Sequence, residues 1–180
     1  MAAYSPAQRR TLDAALELFA EHGVGGTSLA MIADAVGVTK AAVYHQFSTK
    51  EAILLAVIDV QTQPLVAALD AAEAAGATAD ARRALLGALV DTVVGNRRAL
   101  STLQSDPVLL RLLGEHDPSR RFWARFYSVL LGHDLDDRAR VRAAVLSAAI
   151  GSVAHPFAIE VDNDVVRAEL LALTEPLLAD

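Results

Sequence analysis

A short stretch of the chain gathers side chains that can recognise double-stranded DNA. The ammonium group of Lys40 can donate hydrogen bonds to guanine O6 and N7, and the methyl group of Ala41 can contact thymine. Hydroxyl, phenol and imidazole groups nearby can bind phosphate oxygens, which positions a protein on DNA without reading its sequence. These groups belong to Thr39, Tyr44 and His45. Residues 37–50 also hold Lys50 and no acidic residue, so positive charge is concentrated there.

The surrounding apolar residues predict two short helices joined by a tight turn, a helix-turn-helix. Gly37 stands where a left-handed residue commonly ends a helix, and Thr39 can cap the next one. In this motif one helix braces a second helix, which enters a groove of DNA. Thr27 is expected both to cap the first of these two short helices, the second helix of the chain, and to contact a phosphate. The apolar residues at helical spacing are Leu29, Ile32, Ala33 and Val36.

Helix signals on either side extend this motif into a small helical domain. Ser5, Pro6 and Gln8 form a capping box with proline at the first helical position,. Gly23 is expected to end that helix. A second capping box, with Ser48 as the cap at residues 48–51, predicts a fourth helix. Pro64 is expected to mark either a kink in this helix or the start of a new one.

The run VYHQFSTKEAIL, residues 43–54, resembles the segment that closes the DNA-binding domain of TetR-family transcriptional regulators. The apolar spacing of the first helix and residues 25–51 are similar to that family as well, so the resemblance covers roughly residues 5–64. It implies that Tyr44 and Lys50 contact phosphates and that Lys40 reads a base. It also implies an effector pocket among the middle helices and a fourth helix that transmits ligand binding to the recognition helix.

The remaining sequence predicts further helices and no strands, which makes an all-α chain of about nine helices. Asp106-Pro107 and Asp117-Pro118 each place a capping residue before a proline at the first helical position,. Asp134 is expected to cap a long helix, and Asp162 or Asn163 is expected to cap the last one.

The chain is predicted to hold two domains. Residues 1–50 are assigned to an N-terminal helix-turn-helix DNA-binding domain, with the motif at 28–47. Residues 51–180 are assigned to a C-terminal effector-binding and dimerisation domain. Four aromatic residues cluster in one predicted helix of the second domain, namely Phe122, Trp123, Phe126 and Tyr127. Such residues are ordinarily core, and the alternative is an effector pocket lined by apolar groups and a few polar tips.

The last two helices predict a homodimer interface. One helix pair cannot bury both of their apolar surfaces, whereas a second copy across a two-fold axis can do so in a four-helix interface. The alternative is that these residues form an internal core only. A dimer would place two DNA-binding domains on the half-sites of a near-palindrome. The predicted interface residues are Val145, Ala149, Ser152, Val153, Leu170, Leu173 and Leu177.

Composition and motifs argue against several other classes of protein. The chain has no cysteine, which fits a reducing cytoplasm. No signal peptide is visible, and the longest uncharged run, residues 143–159, is shorter than the roughly 20 apolar residues of a membrane span. The five histidines are scattered, without the spacing of a metal site. No catalytic or cofactor-binding motif is visible, so we expect no enzyme activity, cofactor or metal.

The sequence is therefore interpreted as a cytoplasmic, homodimeric transcriptional regulator. It is expected to be a repressor that a small, largely apolar effector releases from a near-palindromic DNA operator. The alternative is a helical ligand-binding or interaction module that has kept the fold and lost operator binding. The net charge of −6 and the balance of acidic and basic residues within 1–50 favour that alternative, because DNA-binding domains are ordinarily basic. An enzyme is the third and least favoured interpretation.

Overall fold

The computed structural model describes residues 4–132 and 136–178, and the regular secondary structure in these ranges is all helical. In chain order the helices are α1 (Pro6–Gly26), α2 (Leu29–Val36), α3 (Lys40–Gln46), α4 (Lys50–Ala74), α5 (Ala79–Gly95), α6 (Arg97–Leu103), α7 (Pro107–Glu115), α8 (Asp117–Leu131), α9 (Asp137–Gly151) and α10 (Asn163–Thr174). Short 3₁₀ segments follow α9 and α10, at Ser152–Ala154 and Glu175–Leu178. The all-α prediction is confirmed, and the described ranges hold ten α-helices.

The helices form two compact units that do not follow the order of the chain. The first, which we call the head unit, comprises residues 1–61 and 98–115. The second, the C-terminal unit, comprises residues 62–97 and 116–180. The predicted domain boundary at residue 50 takes no account of residues 98–115. They belong to the head unit because Leu103 and Leu109 are buried in its core.

The head unit is built around an apolar core that fixes the helix-turn-helix. α2 packs against both α1 and α3, as this motif requires. The turn between α2 and α3 is made by Gly37, whose φ of 75° lies in the left-handed region that favours glycine. The predicted helix-turn-helix is therefore confirmed. Buried core residues include Leu12, Phe19, Ile32, Val43, Ile53 and Leu54.

Local capping signals place several helix starts correctly. The Ser5–Gln8 capping box is present, with proline at the start of α1. Thr39 caps α3 by accepting the N–H of Ala42 at 3.2 Å. At the far end of α1, Gly23 leaves helical geometry with φ 70° and ψ 168°, and only a short helical stretch to Gly26 follows.

Two helices begin one residue later than predicted, because the neighbouring hydroxyl residue caps them. α2 is capped by Ser28 rather than Thr27, and α4 by Thr49 rather than Ser48. In each case the capping oxygen accepts the N–H three residues further on, which is the geometry of an N-cap.

α4 is a single helix of 25 residues that continues through Pro64. The alternative of a new helix at Pro64 is therefore wrong. By length and composition alone α4 could cross a membrane, since an 18-residue window reaches a mean hydropathy of 1.7. Apolar core helices of globular proteins meet the same criterion. Because Ile53, Leu54, Leu65 and Leu69 of α4 are buried within the chain, we interpret α4 as a core helix.

The C-terminal unit packs α5, α8, α9 and α10 around a second apolar core. Arg125 on α8 donates hydrogen bonds to Glu73 and Asp70 of α4, each at 2.6 Å. These bonds raise the pKa of the Arg125 guanidinium, so this group stays positively charged beside the two acids. The buried residues include Leu85, Leu86, Val90, Phe126, Leu130 and Leu146.

Three helix starts in this unit can be compared with the sequence. α8 begins at Asp117, with His116 in the capping position, one residue before the predicted cap. α9 is capped by Asp136, and the predicted cap Asp134 lies outside the described residues. Asp162 caps α10 as predicted, accepting the N–H of Asp164 at 2.8 Å.

Candidate nucleic-acid interface

The outer face of α3 presents most of the residues predicted to contact DNA. They share one face because residues three or four positions apart along a helix are neighbours, as Lys40 and Tyr44 are, and also Ala41 and His45,. On the opposite side Val43 is fully buried, and Phe47 follows as a buried residue. The core therefore fixes α3 while its other side stays open, with Tyr44 58% exposed. Lys40, Ala41, Tyr44 and His45 line a single open depression there.

Thr39 stands at the edge of the same face and can serve two purposes. Its side chain is exposed, and its Oγ1 accepts the N–H of Ala42. A hydroxyl that accepts a hydrogen bond keeps its own hydrogen for donation. Thr39 can therefore donate to a phosphate while it caps α3.

Lys50 is held by the backbone rather than extended into solvent. Its Nζ donates to the carbonyl oxygen of Thr27 at 2.8 Å and lies 3.5 Å from that of Gly25. The ammonium group thus joins the start of α4 to the connection between α1 and α2. The predicted phosphate contact would have to be made from this partly buried position.

Thr27 is part of the core and not of the exposed face. It is 2% exposed, and its hydroxyl lies 2.8 Å from the carbonyl oxygen of Gly23 and 3.1 Å from that of Leu18. A hydroxyl turned inward cannot reach a phosphate. This corrects the prediction that the Thr27 side chain contacts DNA.

The end of α3 is fixed by contacts from α1 and from Tyr4, just before α1, that the sequence did not predict. Thr11 is fully buried, and its hydroxyl lies 3.1 Å from Oε1 of Gln46. The ring of Tyr4 packs on Phe47 with centroids 6.4 Å apart. Burial, followed by the negative charge of Asp59, raises the pKa of Tyr4. The only sign of the contact with Gln46 in the sequence is Thr11 itself, a polar residue beside Leu12 on the apolar face of α1.

The turn and α3 carry a positive charge and side chains that can form hydrogen bonds. Residues 37–50 carry Lys40 and Lys50 and no acid. Over residues 4–132 and 136–178, no group of three or more histidine, aspartate or glutamate side chains is placed to hold a metal ion. The arrangement can therefore donate hydrogen bonds to an anionic or acceptor-rich surface.

The four aromatic residues of α8 form a continuous cluster that is partly core. Phe126 is fully buried, and the Trp123 ring lies 5.4 Å from it, centroid to centroid. The Tyr127 hydroxyl lies 2.6 Å from the Oγ atom of Ser147 on α9. Trp123, Tyr127 and Phe122 are partly exposed, so they are available to a ligand while Phe126 supports them.

A separate groove of about 360 Å³ lies at the end of the C-terminal unit, and none of those aromatic residues lines it. Its walls come from the segment after α9 and from α10. They are mainly apolar, with Glu169 and His155 among the polar groups. Apolar lining residues include Val153, Phe157, Val161, Val165, Leu170 and Leu173.

The predicted dimer residues divide into exposed and buried sets. Leu173 is 70% exposed and Val145 49% exposed, and Ser152 is exposed as well. Ala149 and Leu177 are partly buried. Val153 and Leu170 are only 2% and 5% exposed. Both side chains are thus mostly buried within the single chain and only line the groove described above, so their place in an interface stays a prediction.

Comparison of the sequence with known proteins gives matches that centre on the helix-turn-helix. The profile of the family described as bacterial regulatory proteins, tetR family, matches residues 12–57. Over 58 residues, 32% of the chain, the identity to the HTH-type transcriptional regulator SrpR of Pseudomonas putida is 43%, and the match covers 27% of SrpR. A match of the same length and identity covers 43% of the HTH-type transcriptional regulator TtgW, also of Pseudomonas putida. The matched segment thus spans less than half of either relative.

Similarity of structure extends over the whole chain. The fatty acid degradation regulator FadR from Bacillus halodurans aligns with a TM-score of 0.72 at 17% identity, covering 99% of this chain and 97% of FadR. The TetR-family regulator PfmR from Thermus thermophilus aligns with a TM-score of 0.66 at 22% identity, covering 95% of this chain and 100% of PfmR. At such identities the likeness shows the fold alone. The family match shows that residues 12–57, within the head unit, carry a domain of the tetR family of bacterial regulatory proteins.

Proposed function

We propose that this protein is a cytoplasmic, sequence-specific DNA-binding repressor that acts as a homodimer. The observation that carries the proposal is the outer face of α3, where Lys40, Ala41, Tyr44 and His45 surround one open depression. Lys40 can read guanine, Ala41 can contact a thymine methyl group, and the remaining polar groups can bind phosphates. The buried Val43 holds this face rigidly, which a base-reading surface requires.

Dimerisation is supported by apolar surface on α9 and α10. Val145 and Leu173 are exposed on these helices, and a large exposed apolar surface is typical of an interaction site. An isologous dimer would cover the same surface on both copies. A single α3 of seven residues contacts only a few base pairs. Two head units bound to the two halves of a near-palindromic site would double these contacts and so raise the affinity for DNA.

An effector is supported by the aromatic cluster of α8. Trp123 and Tyr127 combine apolar rings with polar tips, which suits a small and largely apolar ligand. Such a ligand releases DNA only to the extent that it binds the DNA-free arrangement more tightly than the bound one. Fatty acids are included among the first compounds to test, because FadR is described as a fatty acid degradation regulator.

Selection from random DNA duplexes tests the DNA-binding proposal. The purified protein is used at low and moderate salt, beside the double variant Lys40→Ala/Tyr44→Ala. We expect the wild type alone to enrich a near-palindrome. Failure to enrich any sequence would favour a ligand-binding module without operator binding, which the balanced charge of residues 1–50 also favours.

Two signals read together test the effector proposal. Trp123 is the only tryptophan in the chain, so its fluorescence reports ligand at the aromatic cluster. We expect an apolar ligand that changes this fluorescence to release the selected operator over the same concentration range. A ligand that saturates the fluorescence change and leaves operator affinity unaltered would contradict the coupling.

A further inference from the structure

α1 contains a break whose hydrogen-bonding groups need other partners. At Gly23 the backbone leaves helical geometry, with φ 70° and ψ 168°. In an unbroken α-helix the N–H of Val24 would donate to the carbonyl oxygen of Ala20. The break turns these two groups apart. Val24 is fully buried, so its N–H cannot be satisfied by water and requires an acceptor from the protein.

Two side chains from the α6–α7 region replace the lost helical bond. Asp106 Oδ2 accepts the N–H of Val24 at 2.9 Å. The Thr102 hydroxyl donates to the carbonyl oxygen of Ala20 at 2.6 Å. The freed donor and the freed acceptor are thus both satisfied by residues 82 positions later in the chain. We call these two residues the Thr102–Asp106 clamp.

The second carboxylate oxygen of Asp106 has a separate role. Asp106 Oδ1 accepts the N–H groups of Val108 and Leu109, at 2.8 Å and 3.2 Å, and so caps α7. One oxygen therefore serves α7 and the other serves the break in α1. A side chain with a single short oxygen could keep the cap but could not also reach Val24.

The segment after the break leads directly into the recognition motif. The carbonyl oxygen of Gly23 accepts from the Thr27 hydroxyl at 2.8 Å. The carbonyl oxygen of Thr27 accepts from Lys50 at the start of α4. Ser28 follows as the cap of α2. The path of residues 24–27 therefore sets where α2 begins and where α4 is attached.

We propose that the Thr102–Asp106 clamp is a positioning device for the recognition helix, an inference that rests on the proposed DNA-binding function. With the clamp closed, α1 stays broken at Gly23 and α2 and α3 take the orientation described above. With the clamp open, the N–H of Val24 and the carbonyl of Ala20 are satisfied only if α1 continues as a regular helix through Gly23. That arrangement redirects residues 24–27 and the start of α2. Two hydrogen-bonded arrangements of one segment make a two-state element.

Asp106→Ser separates the clamp from the cap of α7. Serine is a good N-cap, so α7 keeps its start while Val24 loses its acceptor. The matched control is Ser5→Ala, which removes a cap of α1 in the same unit and leaves the break intact. Each variant is measured for binding to the selected operator and to random duplex, and for amide hydrogen exchange at Val24.

We expect Asp106→Ser to bind the operator about tenfold more weakly than Ser5→Ala, the loss typical of one misplaced base contact. Affinity for random duplex should stay within about twofold, because phosphate attraction does not depend on base contacts. Exchange at Val24 should accelerate in Asp106→Ser alone.

The outcomes separate the clamp from the proposed function. A wild type that selects no DNA sequence overturns the DNA-binding proposal and the clamp's role in it. A wild type that selects an operator, with Asp106→Ser binding it as well as Ser5→Ala does, overturns the clamp alone. If Asp106→Ser does not fold, Thr102→Val decides in the same way, since it keeps the shape and removes only the hydroxyl that donates to Ala20.

Discussion

The two lysines at the starts of α3, the predicted recognition helix, and α4 are held in different environments. Lys40 is exposed at the start of α3, where its ammonium group is free to approach a base. The Lys50 ammonium group donates to the Thr27 carbonyl oxygen at 2.8 Å. The sequence predicts a DNA contact for both lysines, because nothing in the local sequence distinguishes a solvent-exposed lysine from one that binds a carbonyl. The difference predicts separate effects on stability and on DNA binding.

Lys50→Ala is expected to destabilise the head unit by about 1–3 kcal/mol, the usual loss for a hydrogen bond with a charged partner. The carbonyl oxygen of Thr27 would lose its donor, and α4 would lose its attachment to the connection between α1 and α2. Urea unfolding followed by circular dichroism measures the change. The control Lys40→Ala should alter stability by less than about 0.5 kcal/mol. Equal destabilisation by the two variants would contradict a structural role for Lys50.

Lys40→Ala is expected to relax the base preference of the protein at one position of its operator. Loss of one bidentate contact to guanine removes about 1–3 kcal/mol of discrimination there. Lys50→Ala should weaken specific and random DNA alike, and should flatten the salt dependence by roughly 0.9 in slope if one phosphate contact is lost. Titration of operator variants and random duplex at several salt concentrations measures both. An equal loss on both kinds of DNA in the two variants would contradict the division of roles.

At the scale of helices, substitution by alanine should lower the stability of the protein at Gly37 and raise it at Gly87. Neither glycine has an atom within 4 Å of an added Cβ, so backbone conformation decides the result. Gly37 has φ 75°, where alanine costs about 1–2 kcal/mol. Gly87 lies within α5, where alanine should stabilise the helix by about 0.5–1 kcal/mol. Urea midpoints measure both changes, and Gly37→Asn should lose less than Gly37→Ala because asparagine tolerates this conformation.

Helix starts show how far local sequence predicts the fold. The Ser5–Gln8 box and the caps at Thr39 and Asp106 were predicted correctly, because a cap and the N–H that it accepts lie within three residues. Adjacent hydroxyl residues gave an ambiguous signal, as with Thr27 and Ser28. The second bond of Asp106, to Val24, has no local signal, since the partners lie 82 residues apart. Only the packing of the head unit brings them together.

At the scale of the whole molecule, the C-terminal unit exposes apolar residues that the proposed homodimer would cover. They lie on α9, on α10 and between them, and are Val141, Val145, Phe157, Val161, Val165 and Leu173. The sequence predicted these helices but could not assign their faces. Apolar periodicity is the same for a face that packs inside the chain, as Val153 and Leu170 do, and for one that awaits a partner. Exposure in the folded chain separates the two sets.

Leu173→Glu is expected to convert the proposed dimer into a folded monomer. Leu173 is 70% exposed, so a glutamate there stays in water in the single chain, whereas an isologous interface would bury two unpaired charges. Sedimentation equilibrium measures the change, and the control Ala84→Glu, at an exposed site on α5, should leave the dimer intact. Because two linked heads bind two half-sites with an avidity of at least about a hundredfold, Leu173→Glu should also lose about that factor in operator affinity while its α3 surface is unchanged. A Leu173→Glu protein that remains dimeric would place the interface elsewhere and leave this apolar surface to a different partner.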